Sequence, residues 1–236
     1  MQEAAVKKVG SNDRINRLKR QVQEYERGIC TERALLWTSY FKDRKNRKKP
    51  VIVQMAEALR HVLLNKSVNI YPDELIVGNY TSLRVGGIIY PELHGVPVLL
   101  EIFSYSRRAV NPLRISLKDQ IKLARILPFW LNRFIVTKAF PNIFDRVRFS
   151  WEQLRAKDYY IYEVSGISHL APDHAKLIAL GTDAIKKEIE KYKSENTDPE
   201  KEAFYGAVTI CVETIALFGE RYADCARKLV DSATDP

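Results

Sequence analysis

The chain has 236 residues, of which 46% are hydrophobic and 28% are charged. This composition is typical of a globular protein and excludes a disordered chain, because it supplies enough apolar surface for a core. The net charge of +9 would attract anionic partners without specifying one. Since no apolar run comes near the roughly 20 residues that a bilayer requires, the sequence predicts no membrane span.

Redox and targeting signals are sparse. The three cysteines are Cys30, Cys211 and Cys225. Their odd number and wide spacing favour reduced thiols over a disulfide framework or a zinc site, and no histidine lies in a metal-binding pattern. The segment Met1 to Gly10 lacks the apolar core of a secretory signal, so we expect a cytoplasmic location.

The N-terminal part of the chain has the pattern of three amphipathic helices. Apolar residues at three- and four-residue steps predict a first helix from Asn12 to about Arg27. A second is predicted from Cys30 to about Lys42, with Thr31 as its N-cap, and a third from Pro50 to about Asn65. The basic segment from Lys42 to Lys49 interrupts the apolar period and predicts a charged loop.

The central part changes character. Residues 73–115 contain short apolar runs among glycines and prolines, which predicts loops with one or two short strands. Ser116, followed by Asp119, is typical of a helix N-terminus. We expect Pro128 to end or kink that helix and a further segment to follow it. Residues 141–171 are expected to be irregular.

The C-terminal part predicts two long helices, which begin near Ala171 and at Pro199. Asp198 is a suitable N-cap after the turn at Asn196, and apolar positions then repeat at helical spacing for some eight turns. The expected fold class is therefore mainly α, with a few short strands or loops around residues 73–115. No linker or repeat divides residues 1–236, which we interpret as a single domain.

Short blocks in a fixed order resemble the N-terminal part of the pyruvate formate-lyase-like domain of glycyl radical enzymes. They are Arg17 to Leu36, Asp73 to Asn79 with Thr81-Ser82, Tyr90-Pro91-Glu92, Gly166 to Asp173, and Asp198 to Glu202 with Glu220 to Ala223. No block is specific alone, but the order covers the chain from about residue 14 onwards.

The resemblance implies radical chemistry and a helical N-terminal portion of an α/β barrel. In the family, a backbone glycine holds a radical and passes it to a cysteine that abstracts hydrogen from the substrate. An iron-sulfur activating enzyme that uses S-adenosylmethionine installs this radical. The regions that carry the cysteine and the glycine in the family have no match here, so we expect no bound cofactor and a partial domain over residues 1–236.

Two features imitate catalytic motifs, and one further cysteine has two interpretations. Cys211-Val212-Glu213 is similar to the family's cysteine motif, but it lacks the preceding glycine and lies within a periodic helix, so a core thiol is the better interpretation. Arg84 to Gly87 resembles the glycyl radical loop but lies too early, and we interpret it as a turn. Cys30, just before the second helix, is either a reactive thiol or a packing residue.

His169 and Asp173 are the candidate residues of a substrate-cavity wall. The resemblance implies that their loop lies near the substrate, and a histidine and a carboxylate four residues apart could orient a polar group or move a proton. The alternative is structural, with Asp173 as a helix N-cap and His169 as a packing residue. Ser168 replaces a glycine that is common in the family.

Two hypotheses follow. The first is an N-terminal fragment or truncated member of a glycyl radical lyase or dehydratase, which supplies scaffold and cavity wall and is inactive alone. It implies a second polypeptide or self-association through exposed apolar helix faces, and an activating enzyme only for full-length relatives. The second is a non-catalytic helical module whose basic surface, including Lys42 to Lys49, binds nucleic acid or an acidic protein. Aromatic residues are absent from that segment, which favours a solvated loop.

Overall fold

The computed structural model describes residues 9–93, 101–133, 135–155, 172–196 and 198–232. Helices dominate these residues, as the sequence predicts. The principal helices are α1 Val9–Glu24, α2 Glu32–Lys42, α3 Val51–Asn65, α4 Leu117–Trp130, α5 Ile135–Ala139, α6 Ile143–Leu154, α7 His174–Ser194 and α8 Pro199–Ser232. The strands are β1 Gly28–Cys30 and β2 Gly86–Ile88.

The two strands form a short parallel ladder in which Gly28 pairs with Gly86. Gly28 is required there, because a Cβ atom would come within 2.9 Å of the Leu83 side chain and 3.2 Å of the Arg114 carbonyl oxygen. The sequence predicted a strand near β2 and missed β1. The second helix begins at Glu32 rather than at the predicted Cys30, which lies in β1, because a strand of three residues has no periodic signal of its own.

The main hydrophobic core lies between α2, α3 and α4. Its centre contains the fully buried Ala34, Ala58 and Leu123 together with large aromatic side chains. The Trp130 indole N–H donates to the Thr38 hydroxyl at 2.8 Å, so this polar group is satisfied within the core. Each large side chain buried here stabilises the fold by about 1.5–3 kcal/mol.

The C-terminus of α3 is joined to α8 by side chains that bind main-chain carbonyls. The Arg221 guanidinium donates to the carbonyl oxygens of Leu63 and Lys66, the latter at 2.7 Å. Because the last carbonyls of a helix have no intrahelical partner, Arg221 satisfies groups that would otherwise need water. This contact fixes α8 along α3.

The helix α7 is sharply bent. Gly181 has φ 72° and ψ 173°, outside helical values, and an L side chain would be strained at that φ. The Lys176 amine lies 2.7 Å from the Glu188 carboxylate. Twelve residues of straight helix would separate these positions by roughly 18 Å. The bend therefore brings the two ends of α7 closer together than a straight helix allows.

Local capping signals predicted several boundaries correctly. The Ser116 hydroxyl accepts from the Asp119 backbone N–H at 3.1 Å, and the Asp198 carboxylate accepts from Glu200 N at 3.0 Å. Thr31 is the N-cap residue of α2, but its hydroxyl makes no cap hydrogen bond. The first helix also begins and ends three residues earlier than predicted.

Two expectations in the middle of the chain were wrong. Pro128 does not end α4, which continues two residues further to Trp130, whereas the expected kink at Pro128 stays a prediction. Residues 143–154 form the regular helix α6 rather than an irregular segment. The signal for α6 was Asn142, whose side-chain oxygen accepts from the Phe144 backbone N–H at 2.9 Å in the manner of an N-cap.

Length and composition alone would allow α8 to cross a membrane, a possibility that the sequence analysis did not find. In the structure α8 contacts both neighbouring long helices through charged groups. The Glu213 carboxylate lies 3.0 Å from the Lys186 amine of α7 and 3.6 Å from the Arg60 guanidinium of α3. One helix of this kind is weak evidence for a membrane span, and Glu213 pairs with charged side chains of two other helices of this chain. The cytoplasmic location stays a prediction.

Candidate functional site

Of the two residues predicted to line a substrate cavity, the structure describes one. His169 lies outside the described residues. Asp173 is the N-cap of α7, and its carboxylate accepts a hydrogen bond from the Lys176 backbone N–H at 2.9 Å. This is the structural role that the sequence analysis gave as an alternative. Capping does not exclude a second role at an exposed position, so the cavity-wall assignment stays a prediction.

The apolar block between Asp73 and Asn79 forms a loop that is held at both ends. At its start, the Arg17 guanidinium donates to both carboxylate oxygens of Asp73, at 2.8 and 2.6 Å. This hydrogen bond holds the pKa of the Asp73 carboxyl below its usual range. Asp73 itself has φ 67°, in the left-handed region. Arg17 of α1 and Asp73 of the loop therefore anchor the start of the loop.

The end of the same loop is fixed by Asn79. Its backbone carbonyl accepts from the Lys66 amine at 3.0 Å and from the Tyr222 hydroxyl at 3.2 Å. Its side-chain amide donates to the Leu83 carbonyl at 2.8 Å. The two main-chain contacts join the end of α3 and α8 to the loop, and the side-chain amide contact is the one that favours asparagine at this position.

Burial changes the electrostatics of a charged side chain at this junction. Lys66 is only 3% exposed, and this burial lowers the pKa of its amine. The amine still donates to the carbonyls of Ser67 and Asn79, at 2.9 and 3.0 Å. Carbonyl dipoles thus partly replace the water that the charge has lost.

Between the anchors, the loop presents apolar side chains to solvent. Leu75 is 78% exposed and Ile76 is 93% exposed. An apolar groove of about 630 Å³ lies between this loop and α8. Its lining includes Ile70, Val77, Ile215, Phe218, Gly219 and Tyr222. Among the described residues that line the groove, the charged one is Glu74, and it is already paired with Arg84.

The three cysteines occupy packing positions. The Cys30 sulfur lies in β1, 3.2 Å from the Ser82 hydroxyl oxygen, and it is buried. Burial raises the pKa of the half-buried Cys211 thiol on α8, which disfavours the reactive thiolate. Cys225 lies 3.8 Å from the Val68 carbonyl oxygen. These surroundings fit the interpretation of Cys211 as a core thiol.

Sequence reasoning missed an arrangement around Arg33. This arginine of α2 forms an ion pair with Glu92, and its guanidinium lies 3.8 Å from the centre of the Tyr90 ring. It also lies 4.6 Å from the centre of the Trp37 ring. A cation stacked on aromatic faces is favourable, particularly when water is excluded. The feature of the sequence that could have indicated this arrangement is Arg33 itself, a charged residue among the apolar positions of α2.

The basic segment begins at Lys42, the last residue of α2, and continues as a surface loop that includes a short 3-10 turn, Asn46–Lys48. Within it Lys42, Arg44, Lys45 and Lys48 are exposed, whereas the Lys49 amine lies 2.5 Å from the Glu57 carboxylate. Aromatic side chains on which bases could stack are absent from residues 42–49. The arrangement has the features of a solvated loop.

The residues described above give no metal-binding group: in the described ranges, no three histidine, cysteine, aspartate or glutamate side chains are arranged to hold an ion. The expectation that the chain lacks the radical residues of the family stays a prediction from the sequence. Its sequence contains neither the complete cysteine motif nor the late glycyl loop of the family that it resembles.

Comparison with known proteins gives a consistent answer over nearly the whole chain. The family described as "Pyruvate formate lyase-like" matches residues 7–236. The isethionate sulfite-lyase of Desulfovibrio desulfuricans is 26% identical, and the alignment covers 96% of this chain and 28% of that enzyme. The chain thus spans little more than a quarter of the length of this relative.

Solved structures agree with the sequence match. The B12-independent glycerol dehydratase from Clostridium butyricum superposes with a TM-score of 0.81 at 27% identity, over 94% of this chain and 29% of the enzyme. A glycyl radical enzyme from Archaeoglobus fulgidus gives 0.80 at 31% identity, with the same coverage. The chain therefore belongs to the pyruvate formate lyase-like family and corresponds to an N-terminal part of the glycyl radical enzymes.

Proposed function

We propose that this chain supplies the N-terminal scaffold of a glycyl radical lyase or dehydratase, including part of its substrate-cavity wall, and that it has no turnover alone. The observation that carries the proposal is the match to 28% of a lyase and 29% of a dehydratase. The absence of both hydrogen-transfer motifs from the sequence supports the lack of turnover. On this proposal, residues 1–236 are one partial domain.

The cavity wall is assigned to the loop that precedes α7. His169 and Asp173 are the residues proposed to face a hydroxyl, carbonyl or amine of the substrate. Asp173 keeps its capping bond to Lys176 N through one carboxylate oxygen, which would fix the direction of the other. This chain's contribution would be orientation, whereas the glycyl radical, once installed by an iron-sulfur activating enzyme, would supply the chemistry.

Complementation tests the proposal. The unmodified chain would be mixed with a polypeptide that carries the cysteine and glycine motifs, together with an activating enzyme and S-adenosylmethionine under anaerobic conditions. Glycerol and isethionate, the compounds acted on by two relatives, are the first substrates to try. Turnover should require both polypeptides. Turnover by the chain alone, or activity of the second polypeptide that is unaffected by the chain, would contradict the proposal.

A variant pair tests the wall assignment separately. His169→Ala should lower the activity of the complemented enzyme, since an orienting side chain is lost. His61→Ala is the control, because His61 lies on α3 and interacts with Ser39 and Asn65. Equal activity of the two variants would remove His169 from the cavity wall.

A further inference from the structure

The exposed apolar residues of the loop follow directly in sequence on Glu74 and precede Val77, two residues that line the groove. The loop–α8 surface consists of Leu75, Ile76 and Val77 with Ile215, Phe218 and Gly219. The loop is not free to fold its apolar side chains into the groove, because Asp73 and Asn79 fix its two ends. Apolar side chains that are held away from a neighbouring apolar groove are typical of a surface that another polypeptide covers.

Gly219 adds an independent observation. It lies in the interior of α8, where glycine is less favourable than alanine. A Cβ atom at this position would meet no atom within 4 Å, so packing within the described chain does not require a glycine. Close approach of another backbone is a physical reason for glycine at an exposed helix position.

The charge of the surface restricts its occupant. Glu74, the charged residue at the groove, is neutralised by Arg84. Nucleic acid and anionic small molecules would find no counter-charge among the lining residues, and a charged peptide would lose hydration without compensation. The surface therefore fits an uncharged segment with apolar side chains.

We propose that the loop–α8 surface receives an apolar segment from the remaining part of a glycyl radical enzyme. This inference rests on the proposed function, because the chain matches only 29% of two solved relatives and the remaining part of such an enzyme is the partner that the proposed function requires. The segment packs its backbone against Gly219 and covers Leu75 and Ile76. The surface is thus the place where the scaffold recognises the catalytic part.

Two substitutions test the surface without disturbing the interior. Ile76→Asp places a charge at a position where the side chain is 93% exposed. Gly219→Leu adds a side chain that occupies part of the groove, at a position where a Cβ atom would meet no atom within 4 Å. Val110→Asp is the matched control, because Val110 is 75% exposed in a loop outside the surface. Thermal melting of each purified chain checks that all variants fold like the unmodified protein.

The binding probe is the Archaeoglobus fulgidus glycyl radical enzyme from which the matched 29% has been removed. This truncated enzyme is co-expressed with each tagged variant of the chain, and the amount of truncated enzyme that is retained together with the tagged chain is measured. The removed segment itself, supplied as a separate chain, is the positive control. We expect retention by the unmodified chain and by Val110→Asp, and at least a tenfold loss for Ile76→Asp and Gly219→Leu.

The other outcomes separate the two proposals. Equal retention of all four chains would overturn the loop–α8 surface and leave the proposed function intact. Loss with Val110→Asp as well would overturn the surface as a specific contact. If the truncated enzyme is retained by its own removed segment but not by the unmodified chain, both the surface and the scaffold function are overturned.

Discussion

Arg33 and Glu92 form an ion pair that joins α2 to the Tyr90-Pro91-Glu92 block across 59 positions of sequence. Their side chains are only 8% and 15% exposed. The Arg33 guanidinium also donates to the Ile89 carbonyl at 3.4 Å, next to β2. Two of the blocks that carry the family resemblance are therefore bound directly to each other.

Removing one partner should be strongly destabilising. Glu92→Gln leaves the buried guanidinium without its carboxylate, which should lower the free energy of unfolding by about 3–5 kcal/mol. Urea denaturation measures this change. The matched control is Glu101→Gln, which removes the partner of Arg108 from a pair with 39% and 46% exposure and should cost about 0–1 kcal/mol. Similar losses of unfolding free energy in both variants would show that the buried pair contributes no more to stability than the exposed pair.

The carbonyl contacts of Arg221 should stabilise the end of α3. Arg221→Met keeps an aliphatic side chain but leaves the Leu63 and Lys66 carbonyls without their donor. We expect a loss of about 1–3 kcal/mol and faster hydrogen exchange in the last turn of α3. Arg227→Met, on the same helix in a pair that is 72% and 64% exposed, is the control. Unchanged exchange in the last turn of α3 would contradict the capping role.

The anchor between Arg17 and Asp73 should be sensitive to pH. Because the Arg17 hydrogen bond lowers the pKa of Asp73 in the folded chain, the anchor's stabilisation is present above the ordinary value of 3.8 and is lost as pH falls through the lowered value. Arg17→Gln should raise the Asp73 pKa back towards 3.8, measured by NMR titration of the carboxyl carbon. Arg20→Gln, on the exposed side of α1, should leave the titration unchanged. An unshifted Asp73 pKa in Arg17→Gln would disprove this cause.

The thiols should react slowly in the folded protein. Burial raises the pKa of Cys211, so at neutral pH little thiolate is present, and Cys30 is buried beside Ser82. Alkylation followed by mass spectrometry should show slower modification of both cysteines in the native chain than in urea. Rapid native modification of Cys211 would instead indicate an activated thiol and would reopen the rejected cysteine motif.

Local signals in the sequence were sufficient for much of the helical architecture. Ser116 and Asp198 cap their helices through neighbours two or three residues away, so the chemistry that defines these boundaries is visible in a short window. The helix that begins after Pro50 was predicted in the same way. Pro128 misled the prediction, because a proline near the end of α4 is accommodated without ending the helix.

Features that depend on distant residues were not predictable in this way. The strand β1 exists because Gly28 pairs with Gly86, and neither three-residue segment indicates the pairing alone. The groove requires α8 to lie beside the loop at residues 75–77, which Arg221 and Tyr222 determine across more than 140 positions. The family resemblance indicated the importance of the loop, but its exposed surface is defined only by the folded chain.

The central claim, that this chain lacks the residues for radical chemistry, is tested most directly by electron paramagnetic resonance. The purified chain would be incubated anaerobically with a glycyl radical activating enzyme, reductant and S-adenosylmethionine, with an intact glycyl radical enzyme as the positive control. We predict no glycyl radical signal from this chain while the control develops one. A stable glycyl radical on the chain alone would contradict the claim.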